Sequence, residues 1–231
     1  MRLRSEQGMS LVEATIILMV LGLLTSVLSP SVADFVNDAR HVKVKEDCEA
    51  IGVSIARLAR DVGPCLKKTG TGPCMKANRV DLLFSDGPKV TAAEVAAAPF
   101  SSADLASTPF NWDKDAGANA DSMESQFATN GPGYLTPADT GGYATSGPQF
   151  GLGWRGAYLP GPIGPDPWGK RYLVNTAFLV AAGDATTPGW QADVFCLSAG
   201  PNGLYETPIA GGSGTVRTGD DFIYVISGST R

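Results

Sequence analysis

A single carboxylate, Glu13, stands at the entrance of a long apolar segment. Residues 14–33 carry no charged side chain, and a helix of about 20 residues crosses the hydrocarbon core of a bilayer. Because an acidic side chain at the edge of such a segment has a solvation cost, it usually has a partner of opposite charge and a function. An amine on a neighbouring molecule would neutralise Glu13 within the membrane.

The four cysteines are the second group of chemically active side chains. Two Gly-Pro-Cys tripeptides end at Cys65 and Cys74 and enclose a short loop. Because cysteines of an exported domain are more often paired than free, we predict a Cys65–Cys74 disulfide that stabilises the fold by roughly 2 to 3 kcal/mol. Cys48 and Cys196 form either a second disulfide or part of the core. A zinc site is disfavoured because the chain has 1 histidine and no close Cys-x-x-Cys pair.

The chain shows no motif of the common enzyme classes. It lacks a phosphate-binding Gly-Lys-Ser/Thr loop, a Gly-x-Ser-x-Gly elbow and a His-Glu-x-x-His pair. A Ser/Lys or Asp/Asp catalytic pair stays an alternative, although no spacing singles one out. The net charge of −5 and the lack of a basic stripe argue against nucleic acid. We therefore predict a protein that is not an enzyme and does not bind nucleic acid.

The elements that position these groups begin with a helix predicted over residues 9–62. Beyond the apolar segment, apolar residues recur three and four positions apart, which is the period of one helix face. These residues are Val44, Cys48, Ile51, Ile55, Leu58 and Val62. The helix should end at Gly63-Pro64, because proline cannot continue the hydrogen-bond ladder. A separate soluble helix after a linker is the alternative, but no Gly/Ser/Pro-rich linker precedes this segment.

Charges on either side of the apolar segment predict its orientation in a membrane. Arg2 and Arg4 precede it, whereas Asp34 and Asp38 follow it, so the N-terminus should face the cytoplasm and the following domain the outside. For a bacterial inner membrane the outside is the periplasm. A cleaved secretory signal is the alternative, with a cut near 31–33. The acidic residue before the apolar core and the helical pattern beyond 33 argue against it.

The run Gly8-Met9-Ser10-Leu11-Val12-Glu13 resembles the processing site of type IV prepilins and type II secretion pseudopilins. The resemblance implies cleavage between Gly8 and Met9 by a membrane-embedded prepilin peptidase, followed by N-methylation of Met9. Glu13 then becomes the fifth residue of the mature chain and meets the N-terminal amine of a neighbouring subunit during assembly. Most members of the family begin with phenylalanine, so Met9 is a departure. Pro30 lies where pilin helices commonly carry a proline.

A second resemblance lies near the other end of the chain. Trp154-Arg155-Gly156-Ala157-Tyr158 and Asp166-Pro167-Trp168-Gly169-Lys170-Arg171-Tyr172 are similar to the Trp-Arg-Gly-Pro-Tyr and Asp-Pro-Trp-Gly-Asn-Pro-Tyr signature of the major pseudopilins. Residues 75–150 form an insertion relative to that family. Within it, 91–98 should form a short helix capped by Thr91 with Glu94 three residues on. Its aromatic residues should anchor the insertion to the core, or else form a binding face; they are Trp112, Phe127, Tyr134, Tyr143 and Phe150.

In the major pseudopilins a loop before the last strand holds a calcium ion. The corresponding residues here are Asn202, in the turn 199–203, and Asp220 and Asp221, which precede the apolar run 222–226. Calcium requires oxygen ligands from carboxylates and carbonyls around a flexible turn. Because Asn202 replaces the usual aspartate and the loop is longer, closure by hydrogen bonds alone is the alternative to a Ca²⁺ site.

Together these features predict an α+β chain of pilin architecture. A long N-terminal helix, transmembrane over 14–33, should pack on a small C-terminal antiparallel β-sheet with long loops. The predicted organisation is a cleaved leader over 1–8, the helix over 9–62 and a periplasmic globular domain over 63–231.

The resemblance implies a structural subunit of a type II secretion pseudopilus, a periplasmic filament that helps to move folded proteins across the outer membrane. Its partners would be other copies of itself, minor pseudopilins, the prepilin peptidase and the inner-membrane assembly platform. One alternative is a major or minor pilin of a type IV pilus, used in adhesion, motility or DNA uptake. A membrane-anchored or secreted ligand-binding domain is the other.

Overall fold

A computed structural model describes most of the chain. The described residues are 9–72, 74, 77–97, 111–114, 119–140, 153–180, 193–209 and 217–227. The predicted leader 1–8, with Gly8 at its end, lies outside them, as do several parts of the predicted insertion. The chain divides into two compact units, Met1–Lys43 and Val44–Arg231, which are described in turn.

Helix α1 spans Leu11–Val62 and begins just after the predicted cleavage point. At its start the Ser10 hydroxyl accepts a hydrogen bond from the Val12 amide at 3.3 Å, which satisfies one of the free amides of a helix N-terminus. Pro30 lies inside the helix, where its ring removes one backbone hydrogen bond. Gly63, with φ at +97°, follows the last helical residue, as glycine commonly does.

The first unit is helical from Leu11 and carries its apolar side chains on the surface. Leu11 is 80% exposed and Phe35 is 73% exposed. The most apolar window of 18 residues in α1 has a mean hydropathy of 2.3, so the helix is long and apolar enough to cross a membrane. This composition is compatible with single-pass anchoring in a membrane.

In the second unit, one face of α1 is buried against the globular fold. The apolar residues of this face are Val44, Cys48, Ile51, Ile55, Leu58 and Val62. At Gly52 the helix comes so close to the sheet that a Cβ would lie 3.3 Å from the Cγ1 of Ile226. Tyr172 adds a polar link, because its hydroxyl donates to the Asp47 carboxylate at 3.0 Å.

Five short strands form one sheet in the order β2-β1-β3-β4-β5. The strands are β1 (Leu82–Phe84), β2 (Ala120–Ser122), β3 (Leu173–Val174), β4 (Val194–Ser198) and β5 (Phe222–Ser227). The fold is therefore α+β, but the sheet is mixed rather than antiparallel as predicted. β1 and β2 pair in parallel, whereas the other three pairings are antiparallel. The cause is the insertion, which supplies β2 after a connection long enough for a parallel crossover.

The insertion is attached to the core by buried aromatic side chains. Trp112, Phe127 and Tyr134 are buried, as expected for anchors of a Gly/Pro-rich segment. The other two predicted anchors, Tyr143 and Phe150, lie outside the described residues. The helices of this region are short: α2 spans Met123–Phe127 and α3 spans Pro137–Thr140. The predicted helix near Thr91 is a single 3₁₀ turn over Ala92–Glu94.

Two disulfides cross-link the second unit, one over a short loop and one between distant parts of the chain. Cys65 pairs with Cys74 across a sequence separation of 9, and Cys48 pairs with Cys196 across a separation of 148. The second pairing is the one that the sequence left open. It joins α1 to β4, which lies between β3 and β5 in the sheet, and both of its cysteines are 0% exposed.

Candidate metal centre

The connection from β4 to β5 begins with a tight turn at 199–203. The Gly203 amide donates to the Gly200 carbonyl at 3.2 Å, and both glycines have positive φ, +63° and +71°. Gly200 needs to be glycine for a further reason, because a Cβ there would overlap the Asp220 carbonyl oxygen. This close approach brings the start of the connection against its end, where two aspartates precede β5.

Three carboxylates meet at this point. Ligand oxygens of Glu206, Asp220 and Asp221 all lie within 4.8 Å of one another. Asp221 is fully buried, and the other two are partly buried. Like charges so close together repel strongly unless a proton or a cation neutralises them. The arrangement can therefore hold a metal ion.

Asp221 is held by the backbone on one side and has a free oxygen on the other. Its Oδ2 accepts from the Glu206 amide at 2.9 Å and from the Thr207 amide at 2.6 Å. Its Oδ1 is buried and has no hydrogen-bond partner among the described residues. Burial, with a contribution from the Glu206 charge, raises the pKa of Asp221 to about 6.

Asp220 repeats this pattern. Its Oδ2 accepts from the Asn202 amide at 3.0 Å, while its Oδ1 is buried without a partner in the described part of the chain. A buried carboxylate oxygen without a partner has a desolvation cost of about 1 to 3 kcal/mol or more. A cation in contact with both free Oδ1 atoms would remove that cost for both residues, so the donor set fits a hard metal ion.

The third predicted ligand, Asn202, contacts the cluster through its donor atoms. Its side-chain oxygen accepts from the Leu204 amide at 2.7 Å, and its Nδ2 donates to Glu206 Oε2 at 3.0 Å. In this geometry Asn202 shapes the turn and orients Glu206. Sequence reasoning missed Glu206, although an acidic residue four positions after Asn202 was a usable signal.

The tryptophan motif at 166–172 forms a hydrogen-bonded turn next to the β4–β5 connection. Asp166 Oδ1 accepts from the amides of Trp168 at 3.0 Å and Lys170 at 2.8 Å. Its Oδ2 accepts from the Ser198 hydroxyl at 2.6 Å, at the end of β4. Burial raises the pKa of Asp166, and the bond from Ser198 opposes this effect. The motif thus fixes the turn before β3 to strand β4, which leads into the β4–β5 connection. We name the described residues of that connection, 199–209 and 217–221, the metal loop, since they carry the candidate ligands.

The motif at 154–158 contacts the end of α1. Tyr158 donates from its hydroxyl to Asp61 Oδ2 at 3.1 Å and packs edge-on against Trp154. The Tyr158 carbonyl accepts from the Ser54 hydroxyl at 3.2 Å. The motif at 154–158 therefore attaches its segment to the C-terminal part of α1.

At the other end of the described chain, the predicted assembly residues are exposed. Met9 is 67% exposed, and Glu13 lies on the surface of the first helical turn. Gly8 lies outside the described residues.

Comparison of the chain with protein-family models, curated proteins and solved structures finds no match.

Proposed function

We propose that this protein is a membrane-anchored subunit of a pilin-like filament, and specifically of a type II secretion pseudopilus. The observation that carries the proposal is the N-terminal half of α1. Its apolar side chains are exposed along the helix, and a single carboxylate, Glu13, lies in its first turn. Such a surface requires either lipid or the same helix of other subunits to cover it.

A subunit of such a filament meets these two environments one after the other, first the lipid bilayer and then the helices of neighbouring subunits. The prepilin peptidase cuts between Gly8 and Met9 and the new amine is methylated while the helix is in the inner membrane, with the globular unit in the periplasm. The assembly platform then passes subunits into a filament, where apolar helices cover one another. Glu13 neutralises the Met9 amine of a neighbouring copy, which sets the register between subunits.

Calcium is the cation proposed for the metal centre. Glu206, Asp220 and Asp221 would supply carboxylate oxygens, the hard ligands that Ca²⁺ prefers in a flexible loop. When bound, the ion would neutralise the cluster and hold the two ends of the β4–β5 connection together. The outer surface of each subunit would then keep one shape while the filament grows and moves its substrates.

The mature N-terminus tests the membrane-processing part of the proposal. We expect mass spectrometry of the protein from its native membrane to find a chain that begins at N-methylated Met9. A chain that begins at Asp34 would show cleavage by signal peptidase and would refute the filament function.

Glu13→Ala tests the assembly contact. We expect normal membrane insertion but loss of filaments in pulled-down or sheared fractions, because the Met9 amine would lie unpaired in an apolar bundle. Asp38→Ala is the matched control, since it removes an acidic side chain from the same helix and should leave assembly intact. Normal assembly of Glu13→Ala would contradict the proposed contact.

A further inference from the structure

Part of the insertion is hydrogen-bonded to the backbone of the metal loop. The Tyr205 amide donates to the Glu94 carbonyl at 2.7 Å, and the Tyr205 carbonyl accepts from the amides of Ala96 and Ala97 at 3.0 and 3.2 Å. Tyr205 directly precedes the ligand Glu206. We name residues 91–97 and 111–112 the insertion arm.

The insertion arm also contacts the loop on the other side of Glu206. Trp112 is fully buried and donates from Nε1 to the Thr207 carbonyl at 2.7 Å. The Thr207 amide in turn donates to Asp221 Oδ2 at 2.6 Å. A shift of the loop away from Asp221 would therefore strain the bond that holds Trp112.

A third contact joins the arm to the turn at Gly203. Glu94 forms an ion pair with the Lys170 ammonium, and a Cβ at Gly203 would lie 2.8 Å from the Cε of Lys170. The Lys170 side chain thus lies between the arm and the turn of the metal loop. The arm is therefore connected to the loop before Glu206, at Tyr205 directly and at Gly203 through Lys170, and after it, at Thr207.

The three carboxylates differ in how easily they can move apart. Asp220 and Asp221 directly precede β5, which is paired along its length with β4. Glu206 lies in a loop. The described backbone hydrogen bonds of its neighbours Tyr205 and Thr207 join these residues to the arm and to Asp221. Without a cation, repulsion among the three carboxylates would therefore displace Glu206 and the 205–207 backbone, to which the arm is attached.

We infer that cation binding at Glu206, Asp220 and Asp221 is coupled to attachment of the insertion arm. This inference rests on the proposed calcium centre. Ca²⁺ holds Glu206 in place and so preserves the bonds of Tyr205 and Thr207 to the arm. Coupling between two sites is reciprocal, so the arm also raises the affinity of the loop for Ca²⁺. Glu94, Trp112 and Lys170 act as positioning residues for the metal.

Hydrogen exchange of the full chain in detergent tests the first half of the coupling. We expect the amides of Ala96, Ala97 and Tyr205 to exchange at least about 5-fold more slowly in Ca²⁺ than in EDTA, the lower end of typical coupling. The amides of β4 are the internal control and should change much less. Equal exchange of the arm amides in both conditions, with Ca²⁺ shown to bind, would overturn the inference.

Lys170→Met tests whether the arm raises the Ca²⁺ affinity of the loop. The substitution has two effects, which would change that affinity in opposite directions. Removal of a positive charge near a cation site raises Ca²⁺ affinity if electrostatics alone act. Loss of the ion pair to Glu94 loosens the arm and lowers affinity. The methionine keeps the apolar stem against Gly203. We expect Ca²⁺ affinity, measured by isothermal titration calorimetry, to fall about 5-fold or more.

Lys89→Met is the matched control, since Lys89 is exposed and lies outside the arm, and it should leave affinity unchanged. Unchanged or higher affinity of Lys170→Met would overturn the coupling while leaving the calcium centre intact. Failure of the unaltered protein to bind Ca²⁺ would overturn both the calcium centre and the coupling. Neither result touches the filament function, which depends on the mature N-terminus and on Glu13.

Discussion

The two disulfides should differ strongly in their contribution to stability. In the chain-entropy relation, a cross-link stabilises by restricting the unfolded chain, and the effect grows with the logarithm of the loop that it closes. The Cys48–Cys196 bond has a sequence separation of 148, against 9 for Cys65–Cys74. These separations correspond to about 5 and about 2.6 kcal/mol.

We therefore expect Cys48→Ala with Cys196→Ala to lower the free energy of unfolding about 2.5 kcal/mol more than Cys65→Ala with Cys74→Ala. Packing acts in the same direction, because Cys48 and Cys196 are fully buried and their loss leaves a cavity. Against a typical total stability of about 5 to 15 kcal/mol, the first variant should be marginally folded.

The assay is urea unfolding of the full chain in detergent, followed by tryptophan fluorescence. All 4 tryptophans lie beyond residue 43, so the signal reports on the second compact unit. The unfolding midpoint and slope are compared for the unaltered protein and both double variants. Equal losses for the two variants, or a larger loss for the Cys65 and Cys74 pair, would refute the loop-length reasoning.

Two further predictions concern the metal loop. Gly200→Ala should weaken Ca²⁺ binding at least about 10-fold, because its Cβ would displace Asp220. Gly133→Ala is the control and should leave Ca²⁺ binding unchanged, because Gly133 has a similar φ of +70° but open space around it. Calorimetric titration of both variants tests this, and equal affinities would contradict the proposed clash. The second concerns pH: since burial raises the folded-state pKa of Asp221 to about 6, the folded state binds its proton more tightly than the unfolded state. In EDTA its contribution to stability should be largest near pH 4 and fall as pH rises through about 6. Thermal melts from pH 4 to 8 measure this, and Asp221→Asn should flatten the fall; an equally steep fall in that variant would exclude Asp221 as its source.

Local patterns were sufficient for several features of the fold. The apolar segment and the three-and-four spacing identified α1, because helix formation and burial of one face both follow from neighbouring residues. The apolar run 222–226 located β5 to within one residue. The short loop between Cys65 and Cys74 could be recognised because its two ends are close in sequence.

Other features depend on residues that are distant in sequence. The parallel pairing of β2 follows from the path of the insertion, and no local pattern encodes that path. Glu206 belongs to the carboxylate cluster because Gly200 lets the backbone approach Asp220, which is a contact between the two ends of a long connection.

By itself, the amino-acid sequence determined the exposed apolar helix, its acidic residue and the oxygen-rich residues before β5, because these properties belong to residue types and their spacing. Tertiary structure alone decided that Cys48 meets Cys196, that Glu206 joins Asp220 and Asp221, and that the insertion arm lies on their loop. These contacts arise from packing, where the position of each group depends on the whole core around it.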